Sequence, residues 1–185
     1  MSQVSRLVAN YQRFVSLPWQ VNLAGCQRVW FAVYPPAEER RLRACIQEFE
    51  VATREAAHGW RPVDITNLPA RWLGNHDYRE GYFQTPDALA TVEEEIKAEA
   101  ATAIRAACEA AESDSSTVVA VVGIGSLFGF THVSGVVAEV EASIRGRLLI
   151  FFPGEYERNL YRFMDARDGF NYMAVPITGS ERVAL

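Results

Sequence analysis

Apolar residues recur at every third or fourth position in four stretches of the chain, which predicts four amphipathic helices. The first covers residues 2–16 and should end before Pro18. The second should run from Pro36 to a C-terminal cap at Gly59. The other two cover residues 85–112 and 131–145. The helical part of the chain is therefore expected in four separate blocks.

Short apolar runs lie between these helices and predict β-strands. They are residues 28–34, 61–66, 117–122, 147–152 and 172–177. Two of them, 117–122 and 147–152, are apolar on both faces, which is typical of the middle of a parallel sheet. Because strands and helices alternate, we expect a three-layer α/β/α sandwich with a mostly parallel central sheet of about five strands.

Two stretches do not follow this alternation. Residues 67–85 (NLPARWLGNHDYREGYFQT) combine scattered Gly and Pro with several large aromatic residues, and we expect an irregular, aromatic-rich insertion there. Pro153–Gly154 should end the fourth strand, and residues 156–164 should form a short helix after it.

Length and composition indicate a single α/β domain over residues 1–185. Hydrophobic residues make up 49% of the chain and charged residues 22%, as in an ordinary globular protein. The cysteines stand singly, without the spacing of a disulfide framework or a zinc site. The sequence contains neither a membrane-length apolar run nor the pattern of a signal peptide. We therefore predict a cytoplasmic protein that does not contact a membrane directly.

The negative charge of the chain is concentrated in one segment. The net charge is −5, whereas residues 87–114 alone hold eight acidic and two basic residues. Non-specific binding to DNA or RNA requires a basic surface that releases counterions. No such patch is visible in the sequence, so direct nucleic-acid binding is not expected.

The segment VVAVVGIGSLFGF, residues 118–130, places glycines after the third predicted strand. A dinucleotide-binding loop needs the spacing G-x-G-x-x-G. The glycines of this segment are Gly123, Gly125 and Gly129. Phe128 occupies the third glycine position, so we favour a structural loop in which the glycines let the chain turn and Leu127 and Phe128 fill the end of the sheet. A small nucleotide-binding or hydrolytic enzyme that uses this loop is the alternative.

No complete catalytic template is present in the sequence. Ser126 lacks the flanking glycines of a G-x-S-x-G nucleophile, and Lys97, the single lysine, lies in a predicted helix instead of a phosphate-binding loop. His58, His76 and His132 do not show metal-ligand spacing. We therefore predict no catalytic, cofactor-binding or metal-ligating residue and no enzymatic activity.

Two groups of side chains are candidates for a partner interface. One lies in the aromatic insertion, and the other follows the fourth strand, where parallel sheets place their sites. Because interfaces are enriched in aromatic residues and arginine, the predicted interface residues are Trp72, Tyr78, Tyr82, Phe83, Tyr156 and Arg158. The insertion's aromatic residues could instead fold back over the sheet. Gly154 and Glu155 are assigned to a structural loop, in a polar and hydrogen-bonded region that extends to residue 171.

Several long segments of the chain, in unbroken order, resemble the BrxB family, the DUF1788 proteins of BREX phage-defence systems. The strings are RFVSLPW, NLAG, RVWFAVY, ERRLR, GIGSLFGF, RGRLLIFFPGEYE and NLYRFMDARDGFNYMAVPI. They extend from the first predicted helix to the last predicted strand, whereas residues 67–116 match more loosely.

The resemblance implies an accessory component of a bacterial antiviral system. BREX systems modify host DNA with a methyltransferase and block phage replication. The partner that the resemblance implies is a PglZ-like protein of the alkaline-phosphatase superfamily, together with other BREX components. The family has no established catalytic residues to transfer to this chain. We therefore expect a non-catalytic subunit that binds the PglZ-like protein.

Overall fold

The computed structural model of the chain describes residues 2–164 and 174–180. The helices are α1 (Gln3–Val15), α2 (Glu39–Glu55), α3 (Leu68–Asn75), α4 (Arg79–Gln84), α5 (Glu93–Glu109) and α6 (Val133–Val140). The strands are β1 (Val29–Tyr34), β2 (Gly59–Asp64), β3 (Thr117–Val122), β4 (Arg147–Glu157), β5 (Leu160–Phe163) and β6 (Val175–Thr178). Short 3₁₀ helices occupy Gly25–Arg28, Pro36–Glu38, Pro86–Val92, Ile124–Leu127 and Glu141–Ser143.

The central sheet has the strand order β2-β3-β4-β1-β6, and all of these strands are parallel. β1 and β4 lie side by side, with Phe31 opposite Ile150. β5 pairs antiparallel with the C-terminal part of β4. Helices cover both faces of the sheet, so the predicted three-layer α/β/α sandwich with a mostly parallel sheet is confirmed.

Each face of the sheet has its own apolar core. On one face, α5, α6 and the buried Tyr161 of β5 pack with Val119 and Ile150. On the other face, α1 and α2 pack against Trp30 and Phe151. Successive residues of β1, β3 and β4 therefore alternate between two cores, which explains why these strands are apolar on both faces. None of the described helices is long and apolar enough to cross a membrane.

The predicted short helix over residues 156–164 is wrong, because the segment forms a β-hairpin. β4 continues past the stop expected at Gly154, and Arg158 and Asn159, with φ angles of 52° and 64°, turn the chain into β5. A Cβ on Gly154 would lie 2.0 Å from the carbonyl oxygen of Arg162, so glycine is needed where the two strands meet. Exposed and buried residues alternate along β5, which is the pattern of a strand.

Several other boundaries differ from the prediction. Gly59 does not cap α2 but begins β2, because Ala57 adopts the left-handed conformation (φ 61°) that ends the helix. The helix predicted for residues 85–112 begins as the 3₁₀ segment Pro86–Val92 and becomes α-helical only in α5. The insertion at residues 67–85 is helical over most of its length, since it contains α3 and α4.

Both outer strands of the described sheet contain a proline. Pro62 lies in β2 and pairs with Ala120 of β3, and Pro176 lies in β6 and pairs with Phe31 of β1. Proline has no N–H group to donate to a neighbouring strand and is confined in sheets mainly to edge positions. These two prolines therefore fit the edge positions of β2 and β6.

An aromatic and cationic stack holds the segment between α1 and β1 against the sheet. The Trp19 ring stacks on the His58 imidazole with centroids 3.7 Å apart, and the Arg147 guanidinium lies 4.7 Å from the Trp19 ring. Arg147 is buried, and it donates hydrogen bonds to the carbonyl oxygens of Gly146 and Gln20 at 3.0 and 2.8 Å. The connecting segment is thus attached to the start of β4 by a cation–π contact and a hydrogen bond.

The same surroundings favour the neutral form of His58. Burial lowers the pKa of His58, and the positive charge of Arg147 lowers it further, while Ser116 and Asp114 oppose the shift. Nδ1 of His58 lies within hydrogen-bond distance, 2.8 Å, of the Ser116 hydroxyl oxygen. Protonation of His58 would place a second positive charge beside Trp19 and Arg147.

The protein should therefore lose stability as the pH falls below the ordinary histidine pKa of about 6.5. Unfolded chains bind a proton at this residue before folded ones do, so acid favours unfolding. In a His58→Phe variant, which keeps a ring beside Trp19, the fall in Tm between about pH 7 and about pH 5 should be smaller than in the wild type. Thermal unfolding followed by circular dichroism measures the difference. Parallel curves for the two proteins would contradict this role of His58.

Candidate functional site

The glycine-rich segment follows β3 at the carboxyl edge of the sheet, where parallel α/β proteins place ligands. Gly123 has a φ of 85° and precedes the 3₁₀ helix Ile124–Leu127. A Cβ on Gly123 would lie 2.3 Å from Oγ1 of Thr66 and 2.6 Å from the Thr66 backbone nitrogen. The segment is thus pressed against the turn that follows β2, and Thr66 occupies the space beside Gly123.

Hydrogen bonds inside the segment use several of its backbone N–H groups. The donors are Ser126, Phe128, Phe130 and Thr131, and the acceptors are the carbonyl oxygens of Gly123, Gly125 and Leu127. A phosphate-binding loop presents its N–H groups to the ligand, whereas these groups bond to the carbonyls of their own segment. The Ser126 hydroxyl donates to the carbonyl oxygen of Ile65 at 3.1 Å, which attaches the segment to the turn after β2.

The three glycines of the segment have different surroundings. Gly123 combines a positive φ with close contact to the Thr66 backbone. Gly129 also has a positive φ, 83°, but a Cβ there would have open space around it. A Cβ on Gly125 would lie 3.4 Å from Pro153, an ordinary contact distance. The sharp turn therefore depends on Gly123 and Gly129, and Gly125 is not required for it.

Phe128 does not fill the end of the sheet as the sequence predicted. Its side chain is 42% exposed, and its ring contacts the Phe163 ring edge-on at 5.8 Å. Leu127 is fully buried in the core that α5 and α6 cover. One residue of the predicted pair therefore fills the core, because adjacent residues of the 3₁₀ turn point in different directions.

Thr66 is also the centre of a polar network at the ends of β1 and β2. Its hydroxyl donates to Oδ1 of Asp64 and accepts a hydrogen bond from Arg43 at 2.9 Å. Its backbone N–H donates to the same oxygen of Asp64 at 2.8 Å. Arg43 also donates to Glu39 at 2.6 Å, and Glu39 accepts a hydrogen bond from the Tyr34 hydroxyl. The network thus connects β1, α2 and β2 at one edge of the sheet.

The surroundings favour the charged form of Asp64 and the neutral form of Tyr34. Burial alone would raise the pKa of Asp64, but the hydrogen bonds from Thr66 and the charges of Arg43 and Arg71 lower it. Burial is the main reason that the pKa of Tyr34 is raised. General acid–base catalysis works best with pKa values near the operating pH. The pKa values of Asp64 and Tyr34 are both shifted away from neutral pH. This favours a structural role for the two groups, in which they connect the strand ends.

A cavity of about 470 Å³ lies at the carboxyl ends of β1, β4 and β6, and residues such as Pro36, Tyr156 and Thr178 line it. The chain leaves β1 toward the face of α1 and α2, and it leaves β4 toward the opposite face, so this is a topological switch point of the sheet. Glu155 also lines the cavity and pairs with Arg162 at 3.4 Å. Glu155 and Tyr156 therefore lie at the edge where such sheets place sites.

The hairpin of β4 and β5 contains the described part of the polar region predicted after the fourth strand. The Tyr156 hydroxyl donates to Asn159 at 3.0 Å, and the Tyr161 hydroxyl donates to the carbonyl oxygen of Ala174 at 2.8 Å. Arg158 lies in the turn of the hairpin, with 90% of its side chain exposed. The residues of this region that lie outside the described ranges are Asp165, Arg167, Asp168 and Asn171.

The aromatic residues of the insertion divide into two pairs. Trp72 and Tyr82 are half-buried, pack against the core under α5, and have ring centroids 6.3 Å apart. Tyr78 and Phe83 are 63% and 59% exposed. Tyr78 also contacts the Tyr82 ring edge-on at 5.4 Å. One pair therefore folds back over the core, and the other pair lies on the surface.

His76 belongs to the half-buried part of this aromatic cluster. Its ring centroid lies 4.7 Å from that of Trp72 and 5.3 Å from that of Tyr82, and its Nδ1 accepts a hydrogen bond from the Tyr78 backbone N–H at 3.0 Å. Across residues 2–164 and 174–180, no three His, Cys, Asp or Glu side chains come together in a way that could hold a metal ion. His76 thus helps to fix the turn between α3 and α4.

The sequence-based reasoning missed Thr66 and Arg43. The signal was the sequence Asp-x-Thr at the end of β2, because an Asp side chain readily bonds to backbone two residues further on. The contact between Thr66 and Gly123 joins segments more than fifty residues apart. The local sequence of neither segment predicts this contact.

Replacement of Gly123 by alanine should destabilise the protein more than the same change at Gly129. Both variants place a Cβ at positive φ, which costs about 1–2 kcal/mol. At position 123 the Cβ also meets the backbone of Thr66, and no side-chain rotation relieves that contact. We expect a total loss of roughly 3 kcal/mol or more for Gly123→Ala. Denaturant unfolding of both variants gives the comparison, and equal losses would contradict the importance of the Thr66 contact.

Comparison of the chain with protein-family models, with curated proteins and with solved structures gives no match. The resemblance to the BrxB family therefore stays a prediction that rests on the residue strings themselves. The function has to be inferred from those strings together with the geometry described above.

Proposed function

We propose that the chain is a non-catalytic accessory subunit of a bacterial BREX anti-phage defence system, and that it binds a PglZ-like protein to assemble the defence complex. The family resemblance supports this proposal. The strings RVWFAVY and RGRLLIFF correspond to β1 and the start of β4, the two adjacent strands at the middle of the fold. The loosely matching part, residues 67–116, includes the exposed aromatic insertion.

The observation that carries the proposal is the exposure of Tyr78 and Phe83. These large side chains are 63% and 59% exposed at the start and in the body of the short α4 segment, although Tyr82 of the same segment packs against the core. Aromatic side chains with this exposure are typical of binding energy hot spots, since they bury a large area at low entropic cost. We therefore place the main contact with the partner on this segment.

The hairpin of β4 and β5 provides a second contact region in this proposal. Arg158 is exposed in its turn, Leu160 is 46% exposed, and Tyr156 lies on the adjacent part of β4. An exposed arginine beside aromatic and aliphatic side chains is a frequent interface composition.

The alternative, a nucleotide-binding or hydrolytic enzyme that uses residues 123–129, has less support. Thr66 fills the space beside Gly123, and the N–H groups of Ser126 and Phe128 bond to carbonyls of the same loop. The Ser126 hydroxyl donates to a backbone carbonyl. A ligand that used the Ser126 hydroxyl or the N–H groups of Ser126 and Phe128 would have to displace these contacts.

Loss of the exposed aromatic pair should prevent assembly without affecting the fold. We expect a Tyr78→Ala/Phe83→Ala variant to retain less than about one tenth of the PglZ-like protein that the tagged wild type captures from cells carrying the defence locus. Phe128→Ala, which removes an exposed ring elsewhere on the surface, is the matched control. Circular dichroism confirms that both variants are folded.

The outcomes of this experiment separate the proposals. Full capture by the folded double variant would show that the contact lies elsewhere, and an Arg158→Glu variant then tests the hairpin. Failure of the wild-type chain to capture any BREX component would overturn the proposed function.

The loop at residues 123–129 should not bind nucleotides. We expect no change in Tm with ATP, GTP, NAD or S-adenosylmethionine. A ligand at about 100 times its Kd would add about 2.7 kcal/mol of stability, which corresponds to a Tm increase of roughly 5–10 °C for a chain of this size. A thermal-shift assay detects such an increase in Tm. An increase that occurs in the wild type and disappears in Ser126→Ala would favour the alternative function, a nucleotide-binding or hydrolytic enzyme.

A further inference from the structure

The segment between α1 and the 3₁₀ helix before β1, residues 16–24, forms a strap at the amino end of the sheet. Its Trp19 ring lies nearly parallel to the His58 ring, with 11° between the two planes. The carbonyl oxygen of Gln20, the next residue, accepts the hydrogen bond from Arg147 described above. These two neighbouring residues therefore attach the strap to the sheet at one place.

Residues on both sides of this attachment point lie at the surface. Leu17 and Val21 are 45% and 83% exposed, and Pro18 and Asn22 are exposed as well. Segments with few buried contacts open locally while the rest of a protein stays folded. The strap therefore opens at a lower cost in free energy than the buried strands beneath it.

The strap offers no counter-charge to a protonated His58. Its sequence, SLPWQVNLA, contains no charged side chain. The charged groups that act on His58 are Arg147 of β4 and Asp114 of the turn before β3. The end of α2 contributes the Thr53 carbonyl oxygen, which accepts a hydrogen bond from the His58 backbone N–H at 3.1 Å. A proton on His58 would therefore depend on Asp114 for charge compensation.

Asp114 compensates only part of such a charge. Burial is the largest effect on the pKa of His58 and lowers it, whereas Asp114 raises it without cancelling the shift. Asp114 is exposed, and its Oδ1 accepts hydrogen bonds from the Ser116 backbone N–H and the Thr117 hydroxyl at 2.8 Å each. Its charge is thus shared with other donors and screened by water.

Two arginines make the region beneath the strap positively charged. Burial lowers the pKa of Arg147, and the positive charge of Arg28 lowers it further. Arg28 donates a hydrogen bond to the carbonyl oxygen of Ile144 at 2.8 Å. Within residues 2–164 and 174–180, neither guanidinium forms an ion pair with a carboxylate. A proton on His58 would add a third positive charge to this region.

We propose that the strap is a proton-sensitive element, which is closed while His58 is neutral and detaches from the sheet when His58 is protonated, at a pH at which both cores remain folded. The face of Trp19 attracts cations, but it already contacts the Arg147 guanidinium. Detachment returns His58 and Arg147 to water, which removes the cost of holding both charges beneath the strap. The inference concerns a different surface from the aromatic insertion and does not depend on the proposed partner.

Linkage between protonation and opening sets the size of the effect. For each unit by which closure of the strap lowers the pKa of His58, protonation makes the ratio of open to closed molecules tenfold larger. Opening begins as the pH falls through the ordinary histidine value of about 6.5 and reaches its limit below the lowered pKa of the closed form.

Fluorine NMR of the full chain, labelled with 5-fluorotryptophan, tests the proposal. A Trp19→Phe variant identifies the Trp19 resonance by its loss. The difference in its chemical shift between H₂O and D₂O reports contact with water. We expect this difference to increase toward the value of the free amino acid between about pH 7 and about pH 5. The resonance of Trp60, a buried ring of β2, should remain unchanged and so report that the sheet stays folded.

His58→Phe is the matched variant, because it keeps an aromatic ring against Trp19 and removes the site of protonation. We expect its Trp19 resonance to stay protected from water over the same pH range. His58→Gln, which has neither the ring nor a titrating group, should show an open fraction that does not change with pH.

Two results would overturn the proposal. One is a wild-type Trp19 resonance that stays protected from water down to the pH at which the whole chain unfolds. The other is an opening with the same pH dependence in His58→Phe or His58→Gln as in the wild type.

Discussion

The contact between Gly123 and Thr66 is the constraint on which the carboxyl edge of the sheet depends. It brings the end of β3 against the end of β2 at a distance that leaves no room for a side chain. Thr66 then extends this contact through Asp64 and Arg43 to the beginning of α2. The loop that looks most like a phosphate site in the sequence therefore joins the ends of two neighbouring strands.

The buried strands could be predicted from the sequence, whereas the hairpin could not. β1, β3 and β4 are apolar on both faces because helices cover both faces of the sheet. A continuous apolar run is visible within each strand's own sequence. The hairpin depends on Gly154, where the Arg162 carbonyl approaches to within 2.0 Å of a hypothetical Cβ, and on two residues with positive φ. A close approach between strands and a positive φ depend on tertiary packing, which the local sequence pattern does not give. Strand order likewise depends on pairing between distant segments.

The arrangement of the aromatic insertion, residues 67–85, could also be predicted only in part from the sequence. Its composition indicated an interface or a cover for the core, and the structure buries part of Trp72 and Tyr82 against the core and exposes Tyr78 and Phe83. The spacing of the four residues does not separate the pairs, because the segment is divided into two short helices at a turn that His76 helps to hold. Which rings face outward therefore depends on how α3 and α4 pack, and the spacing of the residues does not give this.

The prolines in the two outer strands disfavour the addition of a further strand to the described sheet. Many adaptors recruit a partner by letting its extended segment add to an open sheet, so that main-chain groups supply the affinity. A strand added beside Pro62 or Pro176 would meet a position with no N–H to offer. Extension of the described sheet at either edge would therefore lack a main-chain hydrogen bond at these positions, which leaves the side chains on helices and turns as the more favourable binding surface of this fold.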